Sequence, residues 1–402
     1  MAKKKSSKKS SQNRNISLVV TVAVLVLAAI FAFTGKDFLG LFPAAETATQ
    51  AVATQKSPTA VVTPPDTGNS QSWWSVYFTD PNTINDPENL TGSIPETLIA
   101  MIDEAQTSIH IAAFEFNLTP VADALIAAHQ RGVEVQWMTD DESGIDADTE
   151  EGHGQFAMLE AAGIPVKDDG RSALMHNKFI IFDGQTVWTG STNLTQNGNF
   201  RNNNNVIVIR STKVAEMFER EFAEMWVDGL HGTKSPSTVD LQSTSIDGTP
   251  IQVYFAAEDE AISHLIPLVN GAKKSIRFLA FSFTHDDLGA AMLAQAQAGV
   301  DISGIFETRG SETEYSELPA MFCAGLPVRQ DGNPGTFHHK VIIIDDEIVI
   351  TGSLNFSENA DSSNDENVVV ITNKDIAKLY LQEFDRRWAE ATDPDPATMK
   401  CK

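Results

Sequence analysis

The feature that most constrains this chain is an internal repeat. When His176 is aligned with His338, residues 176–226 run beside residues 338–388 without a gap. Of the 51 aligned positions 20 are identical, whereas chance at ordinary composition would give roughly three. Shorter blocks nearer the start of each half match as well. The two halves are therefore homologous, and each is expected to fold in the same way.

Within each half, short apolar runs alternate with stretches of helical periodicity. The predicted strands of the first half cover 109–116, 133–138, 179–182 and 206–209. The predicted helices cover 94–105, 121–130, 156–162 and 214–226. Buried strands with covering helices indicate an α/β fold of two homologous α/β/α sandwich halves related by a pseudo-twofold axis. The predicted domains are 73–232 and 249–392, and the joint between them contains Gly, Pro, Ser and Thr.

Each half carries one copy of a polar motif, His-x-Lys-x4-Asp followed by Gly-Ser-x-Asn. Its residues are His176, Lys178, Asp183, Ser191 and Asn193 in the first copy, and His338, Lys340, Asp345, Ser353 and Asn355 in the second. On a strand, His and Lys two positions apart project from the same face and reach one pocket. The four residues after each Lys are all apolar. This predicts a buried strand that carries the polar motif residues at its N-terminal end.

Two imidazoles, two lysines and four neutral hydrogen-bonding groups form a set suited to a phosphodiester. One imidazole attacks phosphorus to form a covalent intermediate, and the other protonates the leaving oxygen and later activates water. Lys178, Lys340, Asn193 and Asn355 are expected to stabilise the extra negative charge on phosphorus. No metal or other cofactor is expected. Asp183 and Asp345 are interpreted as structural residues, because Asp commonly binds backbone amides in turns.

The doubled motif in a doubled domain resembles the phospholipase D superfamily, in which two HKD motifs form one site across a pseudo-dimer. The resemblance covers roughly residues 73–392. It implies a phosphohistidine mechanism, and the usual pattern of the family would make His176 the nucleophile and His338 the general acid. The residues alone leave these two roles unassigned.

The two copies differ 28 residues after the motif histidine, where the second half has Glu366 and the first has Asn204. A carboxylate can hold a histidine through Nδ1 and favour its cation, whereas an amide orients its partner without stabilising charge. Because one partner is charged and the other is neutral, the two histidines are expected to have different roles in the reaction. The hypothesis is that Glu366 serves the nucleophile, His176, across the interface between the halves.

The N-terminal region is predicted to direct the chain to a membrane and to attach the rest of the protein to it. Residues 16–35 contain no charge, and about 20 apolar residues match the thickness of a membrane. We therefore predict a basic cytoplasmic tail and anchor over 1–35, a linker over 36–72, and a body outside the cytoplasm. A cleaved signal peptide is the alternative. The plain anchor and the scarcity of cysteine suit the cell membrane of a bacterium.

Charge bears on the choice of substrate. Six of the 29 basic residues lie in the first 15, so the rest of the chain has 23 basic against 54 acidic residues and a net charge of −31. Such a body is poorly suited to hold nucleic acid through its phosphates. Acidic loops near 140–151 and 307–317 are interpreted as solvated, with a rim that selects a cationic head group as the alternative. Only two cysteines occur, Cys323 and Cys401, and neither lies in a C-x-x-C pair. This argues against a disulfide scaffold and a thiolate zinc site, so stability is expected to come from packing.

The sequence thus predicts a phospholipase D-type phosphodiesterase that hydrolyses or transfers phospholipid head groups at a membrane. A nuclease that cuts DNA or RNA with the same residues is the first alternative, disfavoured by the net charge. A non-catalytic repeat that binds phosphate or lipid is the second. Because both halves are present in one chain, a monomer with an internal pseudo-dimer is expected.

Overall fold

The computed structural model describes residues 72–401. The predicted cytoplasmic tail, the anchor and nearly all of the linker lie outside the described residues. Within 72–401, none of the helices combines the length and the apolar character that crossing a membrane requires.

The first half is built on a mixed seven-stranded sheet. Its strands are β1 (Trp74–Phe78), β2 (Ser108–Ala113), β3 (Glu134–Thr139), β4 (Val166–Asp168), β5 (Lys178–Phe182), β6 (Thr186–Gly190) and β7 (Asn205–Arg210). Its helices are α1 (Ile94–Glu104), α2 (Thr119–Gln130), α3 (Gln155–Ala161), α4 (Gln196–Phe200) and α5 (Thr212–Ala223). The strand order is β1-β7-β6-β5-β2-β3-β4, with β2, β3 and β4 parallel and the other pairs antiparallel.

The second half repeats this arrangement with one more edge strand. Its strands are β8 (Ser243–Ile246), β9 (Thr249–Ala256), β10 (Ser275–Ala280), β11 (Asp301–Phe306), β12 (Val328–Gln330), β13 (Lys340–Ile344), β14 (Ile348–Gly352) and β15 (Glu366–Thr372). Its helices are α6 (Ala261–Gly271), α7 (Asp286–Gln297), α8 (Glu317–Cys323), α9 (Glu358–Ser362) and α10 (Lys374–Glu390). The order is β12-β11-β10-β13-β14-β15-β9-β8, so the predicted pair of homologous α/β halves is confirmed.

The apolar strand after each motif lysine is buried on both faces, as predicted. In β5, Ile180 and Phe182 pack with α1–α3, whereas Phe179 and Ile181 join a second core. That second core contains residues of both halves, including Phe218 of α5 and Phe255 of β9. A shared core ties the two halves together, so they do not behave as independent domains.

The motif glycine is required by a close approach of two strands. Gly190 has φ 154° at the end of β6, and a Cβ atom there would lie 2.2 Å from the carbonyl oxygen of Asn205. Gly352 repeats this geometry at the end of β14 against Asn367. A side chain at either position would push the strands apart, so the glycine holds the following Ser and Asn close to the site.

Several local predictions are wrong at their edges. The predicted strand over 109–116 ends at Ala113, and the predicted helix over 214–226 ends at Ala223 and continues as one π-helical turn, Glu224–Asp228. Strands β1, β4 and β6 were not predicted. Part of the predicted joint, Ser243–Ile246, pairs with β9 as an edge strand.

One covalent cross-link was not predicted from the sequence. Cys323, at the end of α8, is disulfide-bonded to Cys401, 78 residues later. Their Cα atoms lie 5.4 Å apart, a proximity that arises from the tertiary fold and leaves no local pattern. The expectation that packing alone stabilises the body is therefore wrong for the C-terminal segment, which this bond attaches to α8.

Candidate active site

The two motifs meet where the halves exchange backbone hydrogen bonds. The His176 N–H donates to the carbonyl of Asp365 at 2.9 Å, and the His338 N–H donates to the carbonyl of Asn203 at 2.9 Å. Each motif histidine is therefore bound by the other half, in the segment just before the last strand of that half, β15 for His176 and β7 for His338. The structure brings both histidines and both lysines into one buried region, as a single site requires.

His176 is supported by a carboxylate from the second half. Its Nδ1 lies 2.7 Å from Oε2 of Glu366, which is fully buried. Glu366 also accepts hydrogen bonds from Ser353 Oγ at 2.7 Å and from Asn364 Nδ2 at 3.2 Å. The predicted contact across the interface is thus present. With Nδ1–H donated to the carboxylate, Nε2 keeps its lone pair free for the site.

His338 is supported by neutral groups of the first half. Its Nδ1 lies 3.0 Å from Oδ1 of Asn204 and 3.0 Å from the carbonyl oxygen of Ser191. Asn204 is itself fixed, because its Nδ2 donates to the carbonyl of Gly198 at 2.7 Å and Ser191 Oγ donates to its Oδ1 at 2.8 Å. Both neighbours of Nδ1 accept, so Nδ1 carries a proton and Nε2 is the position that exchanges one.

The two motif lysines are buried beside the histidines. Lys178 Nζ donates to the carbonyl of His176, and Lys340 Nζ donates to the carbonyl of His338, both at 2.9 Å. Only about 1% of each lysine is exposed. Burial lowers the pKa of Lys178 to about 8. Burial and the charge of Lys178 also lower the pKa of Lys340 well below its ordinary value.

Burial and the lysine charges also change the pKa of the histidines. Burial, followed by the nearby charges of Lys178 and Lys340, lowers the pKa of both His176 and His338 well below the ordinary value. Burial raises the pKa of Glu366 to about 7, although Lys178, Ser353 and Lys340 act in the opposite direction. A bound phosphodiester would add negative charge beside these groups, which favours the cationic lysines and histidines.

The remaining motif residues fall into two groups. Asn193 Nδ2 donates to Oε2 of Glu115 at 2.9 Å, and the Oδ1 atoms of Asn193 and Asn355 are both buried without a hydrogen-bond partner within residues 72–401. Asp183 Oδ1 accepts from the N–H groups of 106–108, and Asp345 Oδ1 accepts from those of 273–275. Each aspartate thus binds the backbone that leads into the adjacent strand, which is the contact expected of a structural residue.

Sequence reasoning missed an aromatic pair beside the histidines. The Phe114 ring lies 4.8 Å from the His176 ring, and the Phe281 ring lies 4.8 Å from the His338 ring, centroid to centroid. Lys178 and Lys340 stand over the same rings at 5.2 and 4.8 Å. The repeated Ala-Phe-x-Phe sequence, which begins at the last residue of β2 and of β10, was the signal that could have revealed both rings.

Glu115 follows Phe114 and was also missed. Burial raises its pKa, while Lys178 and the hydrogen bond from Asn193 lower it. The second half has Ser282 at the equivalent position. The site is therefore asymmetric here as well, with an additional carboxylate on the side of His176.

The interpretation of the acidic loops as merely solvated is wrong for two residues. Asp140 is buried, and its Oδ2 accepts from the N–H of Met175 at 3.1 Å. Glu307 is also buried, and its Oε2 accepts from the N–H of Phe337 at 2.6 Å. Met175 and Phe337 directly precede the motif histidines. Each acid thus fixes the backbone that presents a histidine, a long-range contact with no local sequence pattern.

The fold and this site define an α/β protein of two similar halves that contribute equivalent residues to one centre. Residues 98–226 and 265–388 match the family model described as "Cardiolipin synthase, PLD-like domain". The chain therefore belongs to this PLD-like family of the phospholipase D superfamily.

Two relatives each match somewhat more than a third of the chain. The chain is 34% identical over 140 residues to a mitochondrial cardiolipin hydrolase of Xenopus tropicalis, which covers 35% of this chain and 65% of that protein. It is 32% identical over 152 residues to a phospholipase D of Rickettsia bellii, with 38% and 76% covered. The structure of phosphatidylserine synthase from Haemophilus influenzae has a similar fold, with a TM-score of 0.59 and 14% identity over 77% of this chain and 88% of that one.

Proposed function

We propose that this chain is a phosphodiesterase that hydrolyses or transfers the head groups of phospholipids through a phosphohistidine intermediate. The observation that carries the proposal is the crosswise support of the two histidines, Glu366 to His176 and Asn204 to His338. A histidine that forms a bond to phosphorus becomes a cation, and Glu366 is the carboxylate able to stabilise it.

The proposed reaction has two steps. In the first, Nε2 of His176 attacks phosphorus, and the bond to the head-group oxygen breaks as that oxygen takes the proton from Nε2 of His338. In the second, His338 removes a proton from water, and the hydroxide attacks phosphorus to release a phosphatidic acid and free His176. An alcohol in place of water gives transfer. These steps use no metal ion.

The charges around phosphorus fit the same assignment. Lys178 and Lys340 are buried cations, and a fixed donor in a site with little water stabilises developing negative charge strongly. Asn355 is equivalent to Asn193 in the repeat, and its amide Nδ2 is proposed to donate to a non-bridging oxygen. Asn193 is proposed to do so once a substrate competes with Glu115.

The proposed substrate is a phospholipid, and the proposed location of the enzyme is a membrane. It is supported by the relatives named cardiolipin hydrolase and phospholipase D, and by the acidic body, which disfavours nucleic acid. We propose a cytoplasmic tail and anchor over 1–35, a linker over 36–72, and domains over 73–232 and 249–392 related by a pseudo-twofold axis within a monomer. The disulfide Cys323–Cys401 supports a body outside the cytoplasm.

The test compares substrates side by side on the full chain in detergent. Cardiolipin, phosphatidylcholine and phosphatidylglycerol are offered beside single-stranded DNA, duplex DNA and RNA, each with wild type and with His176→Ala. Release of phosphatidic acid by the wild type, lost in the variant, is expected. Cleavage of nucleic acid alone would overturn the lipid assignment, and lipid binding without turnover would favour a non-catalytic repeat. Equal activity of His176→Ala would overturn the mechanism.

A further inference from the structure

A second group of carboxylates lies apart from the motif residues. Glu221 belongs to α5, Glu224 begins the π-helical turn after it, and Glu258 follows β9 in the second half. Each offers a carboxylate oxygen, and the three oxygens all lie within 4.8 Å of one another. The group therefore joins the two halves of the molecule.

Within residues 72–401, the negative charge of these three carboxylates is not neutralised by an ion pair. Glu221 is 3% exposed, and its Oε1 and Oε2 of Glu258 have no hydrogen-bond partner within the described residues. None of the three forms an ion pair within residues 72–401. Burial raises the pKa of Glu224 to about 7 although the charge of Arg220 opposes this rise, and an amino group of Arg220 donates to the carbonyl of Leu241 at 3.1 Å. Isolated buried charge of this kind is costly unless a cation or proton balances it.

In the second half, the equivalent buried glutamate is neutralised by ion pairs with arginine. Glu221 aligns with Glu383, which is also fully buried. Glu383 is paired with Arg386 at 2.5 Å and with Arg387 at 2.8 Å, and its pKa is lowered to about 2, since these partners and His339 outweigh burial. Glu224 occupies the position of Arg386 in the first half. Where one half supplies its own cation, the other supplies a further carboxylate.

We propose that Glu221, Glu224 and Glu258 bind one divalent cation, with Ca²⁺ as the expected ion, and that this ion clamps the two halves together. Oxygen-only ligands select hard cations, and Ca²⁺ accepts irregular sets of six to eight oxygens completed by water. The ion does for the first half what Arg386 does for the second.

A different acidic group in the molecule does not qualify. Asp140, Asp141 and Asp169 also approach one another. However, Asp169 is paired with Arg171 at 2.9 Å, and Asp140 accepts from the N–H groups of Ser143 and Met175. Oxygens of that group are thus already engaged by a cation and by backbone donors, so a single ion per chain is expected.

The test begins with the purified full chain stripped of metal by a chelator. Titration calorimetry with CaCl₂ is expected to give one ion per chain, and the unfolding temperature is expected to rise by about 3 °C or more at saturating Ca²⁺. Glu221→Gln is expected to weaken binding by about tenfold or more. The exposed Glu216→Gln, on the same helix, and Asp141→Asn, in the other acidic group, are expected to bind Ca²⁺ like the wild type.

Glu224→Arg is the decisive variant, because it copies the arrangement of the second half. We expect it to show no response to Ca²⁺ and to unfold, without Ca²⁺, at a higher temperature than the metal-free wild type. The proposal is overturned if millimolar Ca²⁺, Mg²⁺ and Mn²⁺ neither bind the wild type nor change its unfolding temperature. It is also overturned if Glu221→Gln binds as tightly as Glu216→Gln. All readouts are independent of turnover, so they separate this site from the proposed activity.

Discussion

The two supports of the motif histidines occupy equivalent positions but differ in charge. Glu366 and Asn204 each reach across the interface to Nδ1 of the histidine in the other half, at 2.7 and 3.0 Å. The duplication therefore preserved the geometry of the two supports, while the change between acid and amide made their charges differ. An imidazole beside a carboxylate is suited to carry a phosphoryl group, and one beside neutral acceptors is suited to lose and regain a proton.

The largest effect should come from removing each histidine and varying the leaving group. With a nitrophenyl phosphodiester, which needs no proton on departure, His338→Asn is expected to retain a burst of nitrophenol. His176→Asn is expected to lose about 10⁴-fold in rate with every substrate, because no covalent bond can form. Stopped-flow absorbance measures both. Equal bursts from the two variants would remove the distinction between the histidines.

Replacing the carboxylate tests its charge alone. Glu366→Gln keeps the shape of the side chain but withdraws the charge that stabilises a phosphorylated His176, so kcat/KM is expected to fall by about 100-fold. Glu358→Gln, an exposed residue, is the matched control and should keep wild-type activity. Steady-state kinetics on the preferred lipid measures the change. A rate within twofold of the wild type would show that the carboxylate has no part in the chemistry.

Adding a carboxylate to the other support should change the pH profile. Burial and the two lysines hold the pKa of His338 below its ordinary value. In Asn204→Asp a carboxylate favours protonated His338, so its pKa rises and the alkaline limb of kcat/KM is expected to move upward by about one pH unit. Asn204→Ala, which only removes orientation, should lower the rate without moving the limb. A downward shift in Asn204→Asp would contradict the assignment of His338 as the acid.

The structural aspartates should show the smallest effect and no asymmetry. Asp183→Asn and Asp345→Asn are each expected to lower the free energy of unfolding by about 1–2 kcal/mol, because hydrogen bonds from backbone N–H groups to a charged acceptor weaken. Hydrogen bonds lower the pKa of both carboxyls despite opposing burial. Their contribution is therefore present above the unfolded pKa and lost as the pH falls through the folded pKa. Urea unfolding at pH 7 and pH 3 measures it, and unequal losses at pH 7 would break the symmetry.

Much of the site could be predicted because the repeat records it twice. The alignment of His176 with His338 placed Glu366 opposite Asn204, and the buried strand after each lysine follows from four apolar residues. The crosswise contacts then require only that the halves face each other.

The contacts that were missed are long-range and have no local signature. Asp140 and Glu307 look like solvated loop acids in sequence, yet each binds the amide before a motif histidine. Cys323 and Cys401 are far apart along the chain and adjacent in space. Such contacts depend on how loops fold back onto a sheet, which the periodicity of apolar residues does not specify.

The most direct test of the central claim is to locate the phosphoryl group in the covalent intermediate. The full chain is mixed with a short-chain phosphodiester, quenched in alkali within milliseconds and digested, and the modified peptide is sequenced by mass spectrometry. The account predicts that the wild type carries the group on His176 and that Glu366→Gln carries much less of it. A group found on His338, or an intermediate unaffected by Glu366→Gln, would contradict the account.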